Sequence, residues 1–326
     1  MFITMINKQQ KPINSGFGAK SEPNEVMAGI DLSGKTALVT GGYSGIGTET
    51  SRALVEAGCE VYAPARRTDV ALNELEGIVP AENIVEMDLA NPKSVQNFVD
   101  DFSSHVNKLD ILINNAGVMA CPEMRTPEGW ELQFAVNQIG HVVLTKGLLP
   151  LMQAAEGARL VTLSSTGHKM SGIRWDDIHF NDSEYEKWTA YGQSKTAASL
   201  LAIEVDKRMK DSGIRAFGVH PGGIMTPLQR HLEQEEMVAL GWMDKDGQPT
   251  ERVAKMFKTP TQGASTSLWA ATSPQLNDIG GVYCENCEVA APTDDGENAR
   301  FIGVNDWAVD SEEASRLWDE TERMLS

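Results

Sequence analysis

Short runs rich in Val, Ile and Leu recur along the chain, at KTALVT (35–40), EVYAP (60–64), NIVEMD (83–88), LDILINN (109–115), ARLVTLSS (158–165) and IRAFGVH (214–220). Stretches of helical period lie between them. Each run is apolar on both faces, whereas a strand with one wet face would alternate. Such strands, separated by amphipathic helices, predict a buried parallel sheet with helices on both faces, a doubly wound α/β architecture. Residues 1–30 are polar, with Pro12, Gly16, Gly18 and Pro23, and read as an N-terminal extension lying on the surface or partly disordered. Residues 31–326 then form one domain. Two segments break its rhythm, about 166–189 and 225–258, both beyond strand ends, where open α/β sheets bind ligands. The second carries Met225, Leu228, Met237, Leu240, Trp242, Met243 and Met256, and reads as a mobile apolar lid over a substrate, with core packing as the alternative.

Composition narrows the partners. Lys and Arg number 28 against 46 Asp and Glu, a formal net charge of −18 that repels phosphate backbones and anionic lipid surfaces. Nucleic acid and membrane are therefore excluded as expected partners. Hydrophobic residues at 41% and charged residues at 23% fit a globular chain rather than a disordered or coiled-coil one. No window approaches ~18 consecutive apolar residues, and MFITMINKQQ turns polar too soon for a secretory leader, so a soluble, cytoplasmic protein is expected. Of the four cysteines, only Cys284 and Cys287 are closely spaced, and one C-x-x-C cannot supply four zinc ligands. That pair reads as structural. The six histidines show no metal spacing, so no metal is expected; His168, close behind Ser165, is the one placed to face a substrate.

The first strand runs into Thr40-Gly41-Gly42-Tyr43-Ser44-Gly45-Ile46-Gly47, followed by a helical pattern. Strand, glycine-rich turn and helix in that order form a dinucleotide-binding turn. Gly41 permits the tight bend, Gly45 lets the backbone approach a pyrophosphate, and Gly47 lets the helix pack closely, while Tyr43, Ser44 and Ile46 line the anion's path at the helix N-terminus. The second strand ends Ala63-Pro64-Ala65-Arg66-Arg67 with no carboxylate to receive an adenosine ribose. An acid there would repel a 2′-phosphate, whereas Arg66 can grip one as a planar fork, so NADP(H) is favoured over NAD(H). Asp88, with Leu89 beside it, is placed to meet the adenine at the end of a third strand. Asn115, Ala116 and Gly117, after the fourth, line the cofactor from the other side.

Tyr191-Gly192-Gln193-Ser194-Lys195 opens a helical run and puts Tyr191 and Lys195 at i and i+4 on one face. A phenol of pKa ~10 is a poor proton donor near neutrality, but a nearby ammonium stabilises the phenolate and lowers that value. The preceding strand ends at Ser164-Ser165, where a hydroxyl can hold a substrate oxygen. Asn137 sits mid-helix, where a side-chain amide needs an explanation. It is placed to bind a water linking the lysine to solvent.

Together TGGYSGIG, INNAG, the Asn137 segment FAVNQIGH, VTLSS, YGQSK and HPGGIMT resemble the short-chain dehydrogenase/reductase family over about 35–290. The late pieces GGVYCENC and ASRLWDETERML are similar to its retinol-dehydrogenase-like members and related bacterial oxidoreductases. The resemblance implies a single Rossmann-type sheet, with Tyr191 as acid/base and Lys195 lowering its pKa and holding the nicotinamide ribose. It further implies Ser165, the second serine of the pair, positioning a carbonyl oxygen, and Asn137 maintaining a water relay. Pro221, Gly222 and Thr226 match the loop that meets the nicotinamide carboxamide and pyrophosphate. Gly42-Tyr43 departs from the small or basic pair more usual there, a point against NADP. The implied reaction interconverts a carbonyl and an alcohol on a small molecule, and apolar residues in both insertions point to a hydrophobic aldehyde, ketone or alcohol. A non-catalytic NADP-sensing protein and a carbon-carbon double-bond reductase are the alternatives. A homodimer or homotetramer is implied by the same analogy.

Overall fold

The computed structural model describes residues 5–294, 296 and 299–326. Seven strands, β1 Thr36–Val39, β2 Glu60–Tyr62, β3 Ile111–Asn114, β4 Arg159–Leu163, β5 Arg215–His220, β6 Val282–Glu285 and β7 Glu288–Val289, form one sheet. Their order is β2-β1-β3-β4-β5-β6-β7, parallel except for β7, which pairs antiparallel with β6. The main helices are α1 Ile46–Glu56, α2 Pro92–His105, α3 Gly140–Gln153, α4 Lys187–Met209, α5 Pro260–Thr272 and α6 Ser311–Leu325.

Successive strand residues point to opposite faces, so one run feeds two cores. Val39, Ile113 and Val161 pack with Leu54 of α1 and Leu268 and Trp269 of α5. Their neighbours Leu38, Leu112 and Leu160 pack with Phe98 and Phe102 of α2 and Leu144 and Leu148 of α3. This is the doubly wound Rossmann-type architecture that apolar runs on both faces require.

NIVEMD departs from expectation. No strand forms at 83–88; Ala65 N donates to Val85 O at 2.9 Å, Met87 N to Ala65 O at 3.0 Å, and a single bridge joins Ala65 to Glu86. The β1–β2 ladder ends at Leu38 opposite Tyr62, just before Pro64, which has no N–H to extend it. The outer run is left with a short, irregular partner.

Residues 5–30 lie against the opposite edge. Gln10, only 4% exposed, accepts from Tyr283 N at 2.8 Å and donates to Tyr283 O at 3.0 Å and Ala290 O at 2.7 Å. Glu288 accepts from the backbone of Ile13 and Ser15, each at 2.8 Å. Residues 7–15 are therefore held as a strap across β6 and β7, and the turn Pro23–Val26 packs on α5. Cys284 and Cys287 are buried thiols in that hairpin, as a structural pair should be.

Every residue of α4 from Ala190 to Asp206 is buried, because the sheet covers one side and α6 the other. Trp318 of α6 lies between Arg208 of α4, 4.8 Å from its ring centre, and Lys146 of α3, 5.9 Å away. Lys146 also pairs with Glu322, and Ser315 donates to Glu204 at 2.8 Å. The C-terminal helix thus packs along α4 and touches α3 at Lys146.

Candidate active site

At the carboxyl end of β1 the Thr40 hydroxyl accepts from the backbone N–H groups of Asn115 and Ala116, each at 3.0 Å, and meets His141 Nε2 at 3.0 Å. Asn115 Nδ2 donates back to Thr40 O at 2.8 Å and Gly41 O at 3.2 Å. The two turns that follow β1 and β3 are thereby stitched together. Gly41 (φ +62°) and Gly45 (φ +55°) hold backbone conformations that side chains disfavour. A Cβ on Gly47 would run into the Gly41 carbonyl and stand 2.7 Å from Asn115 Nδ2. No side chain caps α1 at Gly45, so its N-terminal N–H groups and dipole face the opening. This glycine cradle fits the diphosphate of a dinucleotide.

A cavity of about 410 Å³ opens over the carboxyl ends of the strands. Arg66, Asp88 and Leu89 line one end, and Gly41, Tyr43, Ser44, Gly45 and Ile46 line the turn beside it. Asn115, Ala116 and Gly117 face Pro221, Gly222 and Thr226 across the middle, and Ser165, Tyr191 and Lys195 follow. Gly47 and Asn137 are absent from the lining and act from behind the wall. Arg67 lines that end beside Arg66.

Tyr191 stands one turn into α4, 4% exposed. Ser165 ends the extension of β4, where its Oγ accepts from Gly167 N at 3.0 Å. Gly167 is required here, since a Cβ would lie 2.7 Å from Tyr191 Cε1. Ser164 instead donates into α4, to Lys195 O at 2.7 Å, which leaves Ser165 as the hydroxyl free to meet a ligand. Burial pushes the Tyr191 phenol up to about 12, partly offset by its hydrogen bond with Ser165. Burial also brings Lys195 down to about 8. Desolvation dominates, and the ammonium lies 5.7 Å from the ring centre while donating to Leu163 O at 2.9 Å.

Asn137 lies in a single π-helical turn, Ala135–Ile139, that leads into α3. Its Nδ2 donates to Val118 O and Ser194 Oγ, both at 2.9 Å, and its Oδ1 accepts from Val118 N at 2.9 Å. Both ends of the amide are occupied by protein, so its visible work is to fix the 117–118 loop against α4. His141, which no spacing singled out, lies one turn further on, with Nδ1 3.1 Å from Asn137 O; burial draws it down to about 4. A neutral His141 thus ties the Asn137 turn to Thr40.

His168 does not face the cavity. It is fully buried behind Ser165, its Nε2 accepting from Asn305 N at 3.1 Å and its Nδ1 2.6 Å from Ser165 O. Burial lowers it to about 4, and its neutral ring braces the serine loop. Among the described residues no group of three or more His, Cys, Asp or Glu side chains could hold a metal, and no helix is long and apolar enough to cross a membrane.

The sequence profile of the short chain dehydrogenase family matches residues 35–237, the stretch that carries the turn, the serine and the Tyr191/Lys195 helix. The chain belongs to the short-chain dehydrogenase/reductase family. It is 40% identical over 296 residues to a "Probable oxidoreductase" of Streptomyces antibioticus, covering 89% of this chain and 97% of that one. Retinol dehydrogenase 11 of Mus musculus is 33% identical over 295 residues, covering 89% and 86% respectively. A solved structure of an uncharacterized protein from Mycobacterium Paratuberculosis superposes with TM-score 0.68 at 27% identity, over 92% of this chain and 96% of that one. This retinol-dehydrogenase-like family member is an oxidoreductase that uses a nicotinamide cofactor on a small molecule.

In this short-chain dehydrogenase the segment 225–258 closes one end of the cavity. Leu228, Leu232, Met237, Leu240 and Trp242 form a small apolar cluster with Met119, Trp188 and Tyr191, separate from the sheet cores. Glu236, on the short helix Gln234–Ala239, accepts from Trp188 Nε1 at 2.9 Å and from Lys187 Nζ at 2.6 Å. Trp188 was missed in the sequence although a signal existed, an aromatic residue one helical turn before the tyrosine. Met119 offered none, being fixed only by the loop after β3.

Proposed function

We propose that this protein is an NADP(H)-dependent oxidoreductase that interconverts an aldehyde or ketone and the corresponding alcohol on an apolar substrate. The observation that carries this reading is the convergence of Ser165, Tyr191 and Lys195 on one cavity with the glycine cradle. In this reading Tyr191 exchanges a proton with the substrate oxygen, Ser165 holds that oxygen by a hydrogen bond, and Lys195 stabilises the phenolate as it forms. When bound, the dinucleotide supplies or receives the hydride. Lys195 would also hold the nicotinamide ribose, Asp88 and Leu89 the adenine, and Asn137 would keep the wall in register for a water relay.

Arg66 supports NADP(H), because a guanidinium matches a phosphate in charge and geometry and no carboxylate in the cavity stands beside it other than Asp88. Apolar side chains from 225–258 support a hydrophobic substrate. A sensor without turnover would have no use for a buried phenol beside a lysine, and a double-bond reductase would yield no alcohol.

Fluorescence titration with NADPH and NADH, followed by an absorbance screen of carbonyls at 340 nm, tests the assignment. NADPH-selective binding with NADPH oxidation by a carbonyl, and an alcohol as product, is the expected result. Tight binding without turnover of any carbonyl would overturn it in favour of a sensor.

A further inference from the structure

Four aromatic rings form a continuous line from the phenol to the far side of the substrate end. Trp188 meets Tyr191 with ring centres 6.2 Å apart at 81°, and meets Trp242 at 6.3 Å and 81°. Trp242 in turn meets Phe257 at 5.8 Å and 69°. All four line the cavity, together with the thioethers of Met119 and Met170. Two indoles set nearly perpendicular make a corner beside the reacting oxygen's position. A flat π system can lie on the face of one and meet the edge of the other, both favourable for the aromatic quadrupole. Methionine sulfur adds further contacts to such a ligand, whereas a saturated chain gains only buried area.

The corner is held from outside. Trp188 sits on the first turn of α4, half-buried, and its N–H would otherwise lack a protein partner. The Glu236 carboxylate receives that N–H with one oxygen and the Lys187 ammonium with the other. Both bonds are charge-assisted, and together they fix the indole orientation while joining 225–258 to the helix that carries Tyr191.

Resting on the carbonyl-reductase reading above, we propose that Trp188 determines specificity for flat, conjugated or aromatic carbonyls, and that Glu236 is the positioning residue that aims it. Steady-state kinetics with cinnamaldehyde and hexanal, in the wild type and in Trp188→Ala, Trp188→Phe, Glu236→Ala and Glu236→Gln, test this. The wild type is expected to prefer cinnamaldehyde in kcat/KM. Trp188→Ala should cut that preference roughly 2- to 12-fold, chiefly through KM, with NADPH affinity unchanged. Trp188→Phe, which keeps a ring, should retain most of it. Glu236→Ala should lower the preference in the same direction, and Glu236→Gln, which keeps one acceptor oxygen, by less.

An unchanged preference in a folded Trp188→Ala protein would overturn the proposal. Should that variant not fold, equal preference in the wild type and both Glu236 variants would overturn it as well. Calorimetric titration of the NADP+-loaded proteins with each aldehyde gives a readout independent of turnover. If neither aldehyde is reduced, the catalytic reading fails. The binding ratio then still decides the role of Trp188.

Discussion

Lys195 Nζ donates to Leu163 O at 2.9 Å and stands 5.7 Å from the centre of the Tyr191 ring, so a buried base and a buried acid share one corner of the cavity. Burial drives each toward its neutral form, the lysine to about 8 and the phenol to about 12. Between about pH 8 and the ordinary lysine range, an unfolded chain binds a proton that folded Lys195 has already released. Stability from this group therefore rises with pH across that window. Lys258, brought to about 8 by burial, acts with the same sign. Melting temperatures of the wild type and Lys195→Met, compared from pH 7 to 9.5, should show the wild type gaining on the variant. A constant difference would contradict the buried-lysine account.

Tyr191→Phe removes the proton but keeps the ring that packs against Gly167. Turnover is expected to fall by about 10²- to 10⁴-fold, the usual contribution of a positioned acid or base. NADPH binding should be unchanged by fluorescence. Full activity would exclude the phenol from the reaction.

Gly47→Ala places a methyl against the Gly41 carbonyl, backbone that cannot yield cheaply. Overpacking of this kind costs about 1–3 kcal/mol. Thermal unfolding should show that loss, and NADPH and NADH should both bind more weakly because the cradle itself is displaced.

Arg66→Ala, by contrast, is expected to weaken NADPH far more than NADH. Equal losses would mean that a 2′-phosphate lies elsewhere, with Arg67 the next residue to change.

The sheet was legible because its strands are apolar on both faces, a pattern few other environments produce. The outer run at 83–88 was not, since nothing in NIVEMD itself reveals that its neighbour meets Pro64. Tyr191 and Lys195 could be read from their spacing and the pair Ser164-Ser165 from a strand end, with Ser165 singled out by the family resemblance. The work of Asn137 could not, because its partners Val118 and Ser194 lie 19 and 57 residues away. His168 misled for a related reason: nearness in sequence to Ser165 places it behind the serine loop rather than in front of it. Glu236 was hidden among the acids of HLEQEEMVAL, and only the fold brings it to Trp188.

The C-terminal helix α6 packs along α4 and reaches α3 through Trp318 and Glu322. Trp318→Ala should destabilise the protein by about 3–5 kcal/mol in chemical unfolding, the usual cost of emptying a buried Trp site.

Gln10 of the strap closes its hydrogen bonds with Tyr283 and Ala290 across 273 and 280 positions of sequence. Contacts between such distant parts of a chain close a long loop, an entropic cost that grows only slowly with its length. The β6–β7 margin thus rests on contacts whose loop-closure cost is paid across nearly the whole chain.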